Sequence, residues 1–332
     1  MILRMTMGNI LVTGANGFLG SSIIRQAINE GLSIIATDHY YNSKLPTNIA
    51  FVPADILDVS SLKNVCRDVE SVCHVAGLAH VFNNLQKRKE CFHQINVVGA
   101  ENVAHAAILA GVKHFVLISS VAVYGGVALG RDETSECHPE GPYALSKWQA
   151  ERTLINLCQN EKINLTILRL ATLYGEGDPG NLRRLIRLID RGRFIWIGKG
   201  ENFKSLLHCE DAARACVTAL MYPTPGINIY NVAAPPRKMH DIVKKMYDAL
   251  GKRIPKVHIP ANFVLISEKV IRRLSCNHTK LVTLHNTIQK WLADDYYSTD
   301  NFCKTFDFQT KVDLDEGIRR EVEWYKIESS KN

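Results

Sequence analysis

The sequence predicts an α/β protein built on a doubly wound parallel sheet, followed by a smaller α/β lobe. Short apolar runs alternate with amphipathic helical stretches through the first half of the chain. Helices of this length between strands are typical crossovers of a parallel sheet with helices on both faces. A glycine-rich turn follows the first apolar run, at the strand end where such sheets bind ligands.

The first apolar run, Asn9–Thr13, leads into the glycine turn and then into a helical pattern. Gly14, Gly17 and Gly20 permit a tight bend, a close approach of backbone to a pyrophosphate, and close packing of helix on strand. The phosphates would lie on the free N–H groups at the helix N-terminus. The sequence therefore predicts a dinucleotide site here, in a Rossmann-type sheet.

The second apolar run ends at Asp38, about 20 positions after the turn begins. Its carboxylate suits the two hydroxyls of an adenosine ribose and would repel a 2′-phosphate, and no arginine stands beside it. This favours NAD over NADP. A solvated aspartate at a strand end is the alternative interpretation.

The alternation continues along the chain and predicts the remaining elements. We expect strands at 51–55, 71–75, 113–118 and 167–170, and helices at 57–68, 85–110 and 181–191. Residues 1–170 are predicted to form the NAD-binding domain, with segments near 205–235 returning to it. Residues 171–332 are predicted to form mainly the substrate lobe.

Ser119–Gly125 and the pair Tyr143 and Lys147 predict the chemistry. Residues four apart project from one face of a helix, so the ammonium group would stand beside the phenol. A neighbouring cation lowers the pKa of a tyrosine from about 10 toward the working pH. Such a tyrosine can exchange a proton with a sugar or alcohol hydroxyl while hydride moves to or from a nicotinamide.

Composition excludes several other classes. The net charge of +7 is spread along the chain, without the compact basic run and interleaved aromatics of a nucleic-acid site. No stretch approaches about 18 uninterrupted apolar residues, so no membrane span is expected. The nine cysteines form no Cys-x-x-Cys pair, which predicts buried thiols and no metal site. The apolar start at 1–5 is too short for a signal-peptide core, which favours a cytoplasmic protein.

The chain resembles the extended short-chain dehydrogenase/reductases, in the branch that contains nucleotide-sugar epimerases, dehydratases and ketoreductases. The motifs that carry the resemblance span nearly its whole length: Thr13–Gly20, Asp38, Asp55–Ile56, Val75–Gly77, Asn96–Gly99, Ser119–Gly125, Tyr143–Lys147, Leu168–Gly175 and Leu314–Tyr325.

The resemblance implies roles for particular residues. Tyr143 is the acid/base, Lys147 lowers its pKa and holds the nicotinamide ribose, and Ser120 orients the reacting hydroxyl. Ser120 is favoured over Ser119 because it stands four residues before Tyr124. The implied NAD contacts are Gly14, Gly17, Phe18, Leu19, Gly20, Asp38, Asp55, Ile56, Val75, Ala76, Gly77, Asn96, Tyr143 and Lys147.

The resemblance also implies substrate contacts in the second half of the chain. These residues are Thr172, Asn181, Leu182 and Lys204. Lys204 stands where many relatives carry an arginine that grips a diphosphate, and lysine keeps the charge but loses bidentate geometry. Thr172 stands where several sugar epimerases carry asparagine. The family further implies a homodimer formed through the helices after Leu85 and Tyr143.

Val121 and Ala122 occupy the positions where dehydratases and decarboxylases of the family place a carboxylate. Neither side chain can move a proton, which disfavours both reactions. The favoured function is an NAD-dependent 4-epimerase of a UDP-hexose or UDP-N-acetylhexosamine in polysaccharide biosynthesis. The alternatives are a nucleotide-4-keto-sugar reductase or dehydrogenase, a hydroxysteroid-dehydrogenase-like enzyme, and a non-catalytic NAD-sensing protein.

Overall fold

A seven-stranded sheet, parallel throughout, forms the centre of the larger domain. The computed structural model describes residues 8–42, 45–47, 49–79, 85–126, 128–260, 289 and 291–330. The strands are β1 (Asn9–Thr13), β2 (Ile34–Thr37), β3 (Ala50–Phe51), β4 (Val69–His74), β5 (His114–Ser120), β6 (Ala128–Arg131), β7 (Asn164–Leu170), β8 (Thr172–Tyr174), β9 (Trp196–Ile197), β10 (Phe203–Lys204), β11 (Leu206–His208), β12 (Ile227–Val232), β13 (Arg237–Lys238), β14 (His258–Ile259) and β15 (Asp295–Tyr297).

Helices cover both faces of this sheet. The helices of the described residues are α1 (Phe18–Asn29), α2 (Val59–Val65), α3 (Leu85–His93), α4 (Gly99–Leu109), α5 (Gly141–Glu161), α6 (Asn181–Asp190), α7 (Cys209–Met221), α8 (Met239–Leu250), α9 (Asp300–Phe306) and α10 (Leu314–Ser330). Within the described ranges, no helix has the length and apolar character needed to cross a membrane.

The sheet order β3-β2-β1-β4-β5-β7-β12 confirms the predicted doubly wound fold. One apolar cluster packs α1, α7 and α9 against one face, and a second packs α2, α4 and α5 against the other. The chain order reverses between β1 and β4, so the crevice for a ligand opens at their carboxyl ends. The segment that carries α7 and β12 joins this sheet beside β7.

The predicted strand at 51–55 is shorter than expected. Only Ala50–Phe51 pairs as a strand, although Val52 N–H and Ala54 N–H still donate to carbonyls at and after the end of β2, both at 3.0 Å. Pro53 has no N–H to donate, which interrupts the ladder. The helix predicted at 57–68 is also shorter, because the Asp58 carboxylate accepts from Ser60 N–H at 3.0 Å and caps the helix there.

The long helix predicted at 85–110 is divided. A π-helical segment, Gln94–Val98, separates α3 from α4. Such a segment inserts an extra residue into a turn and turns the following residues around the helix axis. Asn96 lies inside it with only 2% of its surface exposed, so the interruption places a polar side chain where a regular helix would not.

The smaller lobe has its own apolar core, formed by α6, α8 and α10. The helix predicted at 181–191 is confirmed as Asn181–Asp190, and its apolar residues are buried as expected. Strands β13, β10, β15 and β6 form a four-stranded sheet, and β11 pairs with β8. Within the predicted substrate lobe at 171–332, residues 261–288, 290 and 331–332 lie outside the described residues.

Glu321 on α10 joins the lobe to the loop after β8. It is fully buried, and its Oε2 accepts from Gly175 N–H at 3.3 Å. Burial and the nearby carboxylates of Asp178 and Glu176 raise its pKa to about 9. The folded protein therefore holds this carboxyl in its neutral form at pH 7.

We expect the Glu321→Gln variant to be more stable than the wild type at pH 8. Because the folded pKa of Glu321 lies above its unfolded value, its contribution to stability is complete near pH 4 and is lost as pH rises toward about 9. The amide keeps the hydrogen-bond acceptor and never ionises. The melting temperature should rise by roughly 4 °C at pH 8 and by about 1 °C or less at pH 4.

Glu323→Gln is the matched control, since Glu323 lies on the exposed side of the same helix. Its effect should be small at both pH values. An equal gain for Glu321→Gln at pH 4 and pH 8 would contradict a neutral buried carboxyl.

Candidate active site

The glycine turn is packed so tightly that side chains are excluded from it. A Cβ on Gly14, which has φ +67°, would lie 2.7 Å from the Ala76 Cα, and one on Gly20 would lie 2.1 Å from the Gly14 carbonyl oxygen. The N-cap residue Gly17 offers no side-chain bond to the first helical N–H groups. The amides of Phe18 and Leu19 at the start of α1 are thus left without a side-chain cap, and their contact with a pyrophosphate stays a prediction.

The Asp38 carboxylate lies beside this turn, at the carboxyl end of β2. Its Oδ2 accepts from Asn16 N–H at 3.0 Å and its Oδ1 accepts from His39 N–H at 2.8 Å. These bonds fix its orientation, and each oxygen keeps a second lone pair for a ribose hydroxyl. The residues present therefore fit a dinucleotide with free ribose hydroxyls.

Thr13 and His74 support the turn in a way that the sequence did not predict. The Thr13 hydroxyl accepts from Val75 N–H at 3.2 Å and from Ala76 N–H at 3.1 Å, and it lies 2.9 Å from His74 Nδ1. Burial and the charge of Lys147 lower the pKa of His74 to about 3, so its ring is neutral. The position of Thr13 immediately before the turn was the available signal.

Asp55 and Ile56 are engaged in local structure. Asp55 Oδ1 accepts from Leu57 N–H at 2.8 Å and caps the turn before α2. The Ile56 side chain packs against Gly99, where a Cβ would lie 2.5 Å from Ile56 Cδ1. Asn102 Nδ2 donates to the Ile56 carbonyl at 3.1 Å. Contact of these two residues with adenine stays a prediction.

Ser120, Tyr143 and Lys147 meet at the carboxyl end of β5. The Ser120 hydroxyl lies beside the Tyr143 phenol. Lys147 is 8% exposed, and its Nζ donates to the Ile118 carbonyl at 2.8 Å. The ring of Phe92 packs edge-on against Tyr143, with centroids 5.9 Å apart, which orients the phenol.

Burial acts on the pKa values of both Tyr143 and Lys147. It raises the pKa of Tyr143, and the hydrogen bond from Ser120 opposes that rise. It lowers the pKa of Lys147 to about 8, and the Glu151 carboxylate opposes that change. The sequence predicted a lowered pKa for Tyr143, whereas the folded chain alone raises it. Lowering it would require further positive charge, which the oxidised ring of NAD would supply when bound.

Asn96 connects the loop after β4 to α5. Its amide bonds both the N–H and the carbonyl of Leu78, at 2.6 and 3.0 Å, and donates to Ser146 Oγ at 2.9 Å. A Cβ on Gly77 would lie 3.2 Å from Asn96 Oδ1 and 3.3 Å from Lys147 Nζ. Glycine at 77 therefore allows this loop to approach Lys147 closely.

The predicted substrate residues have different exposures. Thr172 on β8 and Asn181 at the start of α6 are exposed. Leu182 is 6% exposed and packs in the core of the lobe, so only its backbone amide could meet a ligand. Lys204 Nζ lies 3.9 Å from Asp295 Oδ2, an ion pair that the sequence did not predict.

Asp178 anchors the loop that leads into α6 and was missed at the level of sequence. It is 3% exposed, with Oδ1 accepting from Gly180 N–H at 2.6 Å and Oδ2 from Arg183 N–H at 3.3 Å. The Arg183 guanidinium lies 4.9 Å from the ring centroid of Trp324, so its cation faces α10. Asp178 thereby fixes the start of α6 beside Asn181.

We expect Gly20→Ala to reduce retention of NAD at least about tenfold, because the methyl group would overlap the Gly14 carbonyl and open the turn. Nucleotide released from the denatured, purified protein measures the effect. Ser21→Ala, the control on the same helix turn, removes only a hydroxyl that bonds the Phe18 carbonyl at 3.3 Å. Equal NAD content in both variants would contradict the cradle.

Comparisons with curated proteins place this arrangement among sugar-modifying enzymes. The chain is 31% identical over 261 residues to an N-acetyl-α-D-glucosaminyl-diphospho-ditrans,octacis-undecaprenol 4-epimerase of Escherichia coli O157:H7, covering 76% of this chain and 75% of that protein. It is 27% identical over 262 residues to a UDP-glucose 4-epimerase of Vibrio cholerae, covering 76% and 79%.

Solved structures share the fold. MoeE5 in complex with UDP-glucose and NAD superposes with a TM-score of 0.77 at 23% identity, covering 97% of this chain and 100% of that chain. UDP-glucose 4-epimerase from Thermotoga maritima gives 0.77 at 22% identity, covering 97% and 99%. The model of the NAD dependent epimerase/dehydratase family matches residues 10–233. This confirms NAD as the cofactor, and the chain belongs to the NAD dependent epimerase/dehydratase family.

Proposed function

We propose that this protein is a 4-epimerase of a diphosphate-linked hexose or N-acetylhexosamine and works through a 4-keto intermediate. The observation that carries the proposal is the meeting of Ser120, Tyr143 and Lys147 at the carboxyl end of β5, with the apolar Val121 and Ala122 directly after Ser120. Both bacterial relatives are named as 4-epimerases, which supports the same reaction.

Proton transfer at the sugar 4-hydroxyl belongs to Tyr143. Its phenolate takes the hydroxyl proton, while the Ser120 hydroxyl beside the phenol holds the sugar oxygen in line. Lys147 keeps a positive charge beside the phenolate at pH 7, since its pKa is about 8. When the keto sugar is reduced again, Tyr143 returns the proton to the same oxygen.

Bound NAD supplies the acceptor for the C4 hydride and its return, so the reaction has no net redox change. Inversion requires the 4-keto sugar to present its other face before the hydride returns. Because the sugar is tethered through a diphosphate, it can turn while the substrate stays bound. The chain has to hold the diphosphate and leave the sugar free to rotate.

Dehydration needs a further acid or base, which the described residues directly after Ser120 do not supply. Val121 and Ala122 stand next to Ser120 in a short 3₁₀ helix, and neither side chain can transfer a proton. This supports epimerisation, or simple reduction of a keto sugar, over 4,6-dehydration. The reductase alternative uses the same three residues once per turnover and exchanges its cofactor.

Two carriers of the sugar diphosphate are candidates for the substrate. A UDP-sugar is the first candidate, because the relative from Vibrio cholerae is a UDP-glucose 4-epimerase. A polyprenol-diphosphate sugar is the second, because the relative with 31% identity carries that name. Lys204, paired here with Asp295, lacks the bidentate geometry of an arginine toward a diphosphate.

A substrate panel separates these possibilities. Purified protein without added reductant should interconvert the C4 isomers of UDP-glucose, UDP-N-acetylglucosamine or undecaprenyl-diphospho-N-acetylglucosamine in detergent, measured by chromatography of the released sugars. Turnover of one carrier series alone assigns the carrier. Conversion only of a 4-keto sugar with stoichiometric NADH would replace the epimerase with the reductase.

We expect Tyr143→Phe to lower kcat about 1,000-fold, because the phenol is the group that moves the proton. The variant should retain NAD, since the ring still packs against Phe92. Tyr40→Phe, with its exposed ring, is the matched control and should keep full activity. Undiminished turnover by Tyr143→Phe would remove the assigned acid/base.

The same proposal extends to the compartment, the pathway and the oligomeric state of the enzyme. We place it in the cytoplasm, in polysaccharide biosynthesis, as a homodimer that uses α3, α4 and α5. Free thiols at the eight described cysteines support a reducing compartment.

A further inference from the structure

A buried ion pair joins α5, the helix that carries Tyr143 and Lys147, to strand β7. Glu151 on α5 is 1% exposed and Arg169 on β7 is 4% exposed. Arg169 Nη2 donates to Glu151 Oε2 at 2.7 Å, and Arg169 Nε lies 3.1 and 3.2 Å from the two carboxylate oxygens. Removing one partner of such a pair leaves an uncompensated charge, so each charge depends on the other.

This pair touches both elements that carry the catalytic groups. Glu151 lies one helical turn after Lys147 on α5. Its Oε1 accepts from the Ser119 hydroxyl at 2.5 Å, and Ser119 immediately precedes Ser120 on β5. Arg169 stands directly opposite Ser119 in the β5–β7 pairing. Glu151 therefore connects the helix of Tyr143 and Lys147 to the strand of Ser120.

Further bonds extend this connection away from the site. Arg169 Nη1 donates to the Tyr124 hydroxyl at 2.9 Å, and that hydroxyl donates to Asn231 Oδ1 at 2.8 Å. Tyr124 is fully buried at the end of the turn that follows Ser120. The position of Glu151 is thus fixed by groups on β5, β7 and β12.

We propose that Glu151 is a positioning residue, which with Ser119 and Arg169 fixes α5 against β5 and whose charge helps to keep Lys147 protonated. The proposal rests on the proposed function in one respect: Lys147 has to hold a positive charge beside the Tyr143 phenolate. Neither Glu151 nor Arg169 touches the reacting atoms. They act through Lys147 and through the spacing of Ser120 from Tyr143.

The charges around Lys147 determine whether a substitution makes Lys147 lose its proton at lower or at higher pH. Glu151 faces it from α5 and His74 from β4, and Arg169 on β7 pairs with Glu151. His74 is neutral, and burial raises the pKa of the Cys137 thiol next to Arg169, which keeps that thiol neutral. The pair Glu151 and Arg169 thus supplies the balance of charge on the side of the site remote from the cofactor.

The test compares two substitutions that should act in opposite directions. Glu151→Gln removes an attraction and leaves the Arg169 cation, so Lys147 should lose its proton at lower pH. Arg169→Gln leaves the carboxylate, so Lys147 should keep its proton to higher pH. The alkaline limb of the kcat profile should move down by about one pH unit in the first and up in the second.

A substrate-independent readout separates failure of this inference from failure of the proposed function. The ultraviolet absorbance of the Tyr143 phenolate, taken as the difference from Tyr143→Phe, should titrate at higher pH in Glu151→Gln than in wild type. This signal requires no sugar turnover. An inactive wild type would contradict the proposed function, whereas unshifted limbs and titrations in folded variants would contradict this inference.

Two further variants guard against loss of folding. Glu151→Gln/Arg169→Gln buries no unpaired charge, so it should fold and keep the alkaline limb within about 0.3 pH units of wild type. A movement of about one unit in the double variant would overturn the proposal by itself. Glu161→Gln, at the exposed end of the same helix, should change neither the limb nor kcat.

Discussion

The buried ammonium group of Lys147 is the constraint around which the site is arranged. A cation at 8% exposure needs acceptors, and this one has the Ile118 carbonyl at 2.8 Å and the field of Glu151. Gly77 has no side chain to displace it. The carboxyl end of β5, the loop after β4 and one face of α5 must therefore stay in register for the charge to be tolerated.

Features that are local in sequence could be predicted. The glycine turn after β1, the acidic residue after β2 and the four-residue spacing of Tyr143 and Lys147 each depend on a few neighbouring residues. The family resemblance then supplied the role of each residue. The sheet order confirms the fold because alternating strands and helices leave few right-handed topologies.

Features that depend on distant residues could not be predicted. Glu151 meets Ser119 and Arg169 across 32 and 18 residues of sequence, and nothing in a helical pattern distinguishes a buried glutamate from a solvated one. The π-helical turn at Asn96 interrupts a sequence whose periodicity predicted an unbroken helix. The bonds of Thr13 also depend on distant residues, because its contacts with the loop after β4 exist only once β4 has paired with β1.

Burial of Tyr143 suits a reaction that uses the same phenol in both directions. A phenol held at a low pKa would give up a proton readily but return it poorly, whereas burial raises its affinity for the proton. Positive charge near the phenol then determines which form is favoured. The nicotinamide ring is cationic only when oxidised. In the proposed epimerisation, Tyr143 would therefore release its proton when the sugar carries the hydride and hold it otherwise.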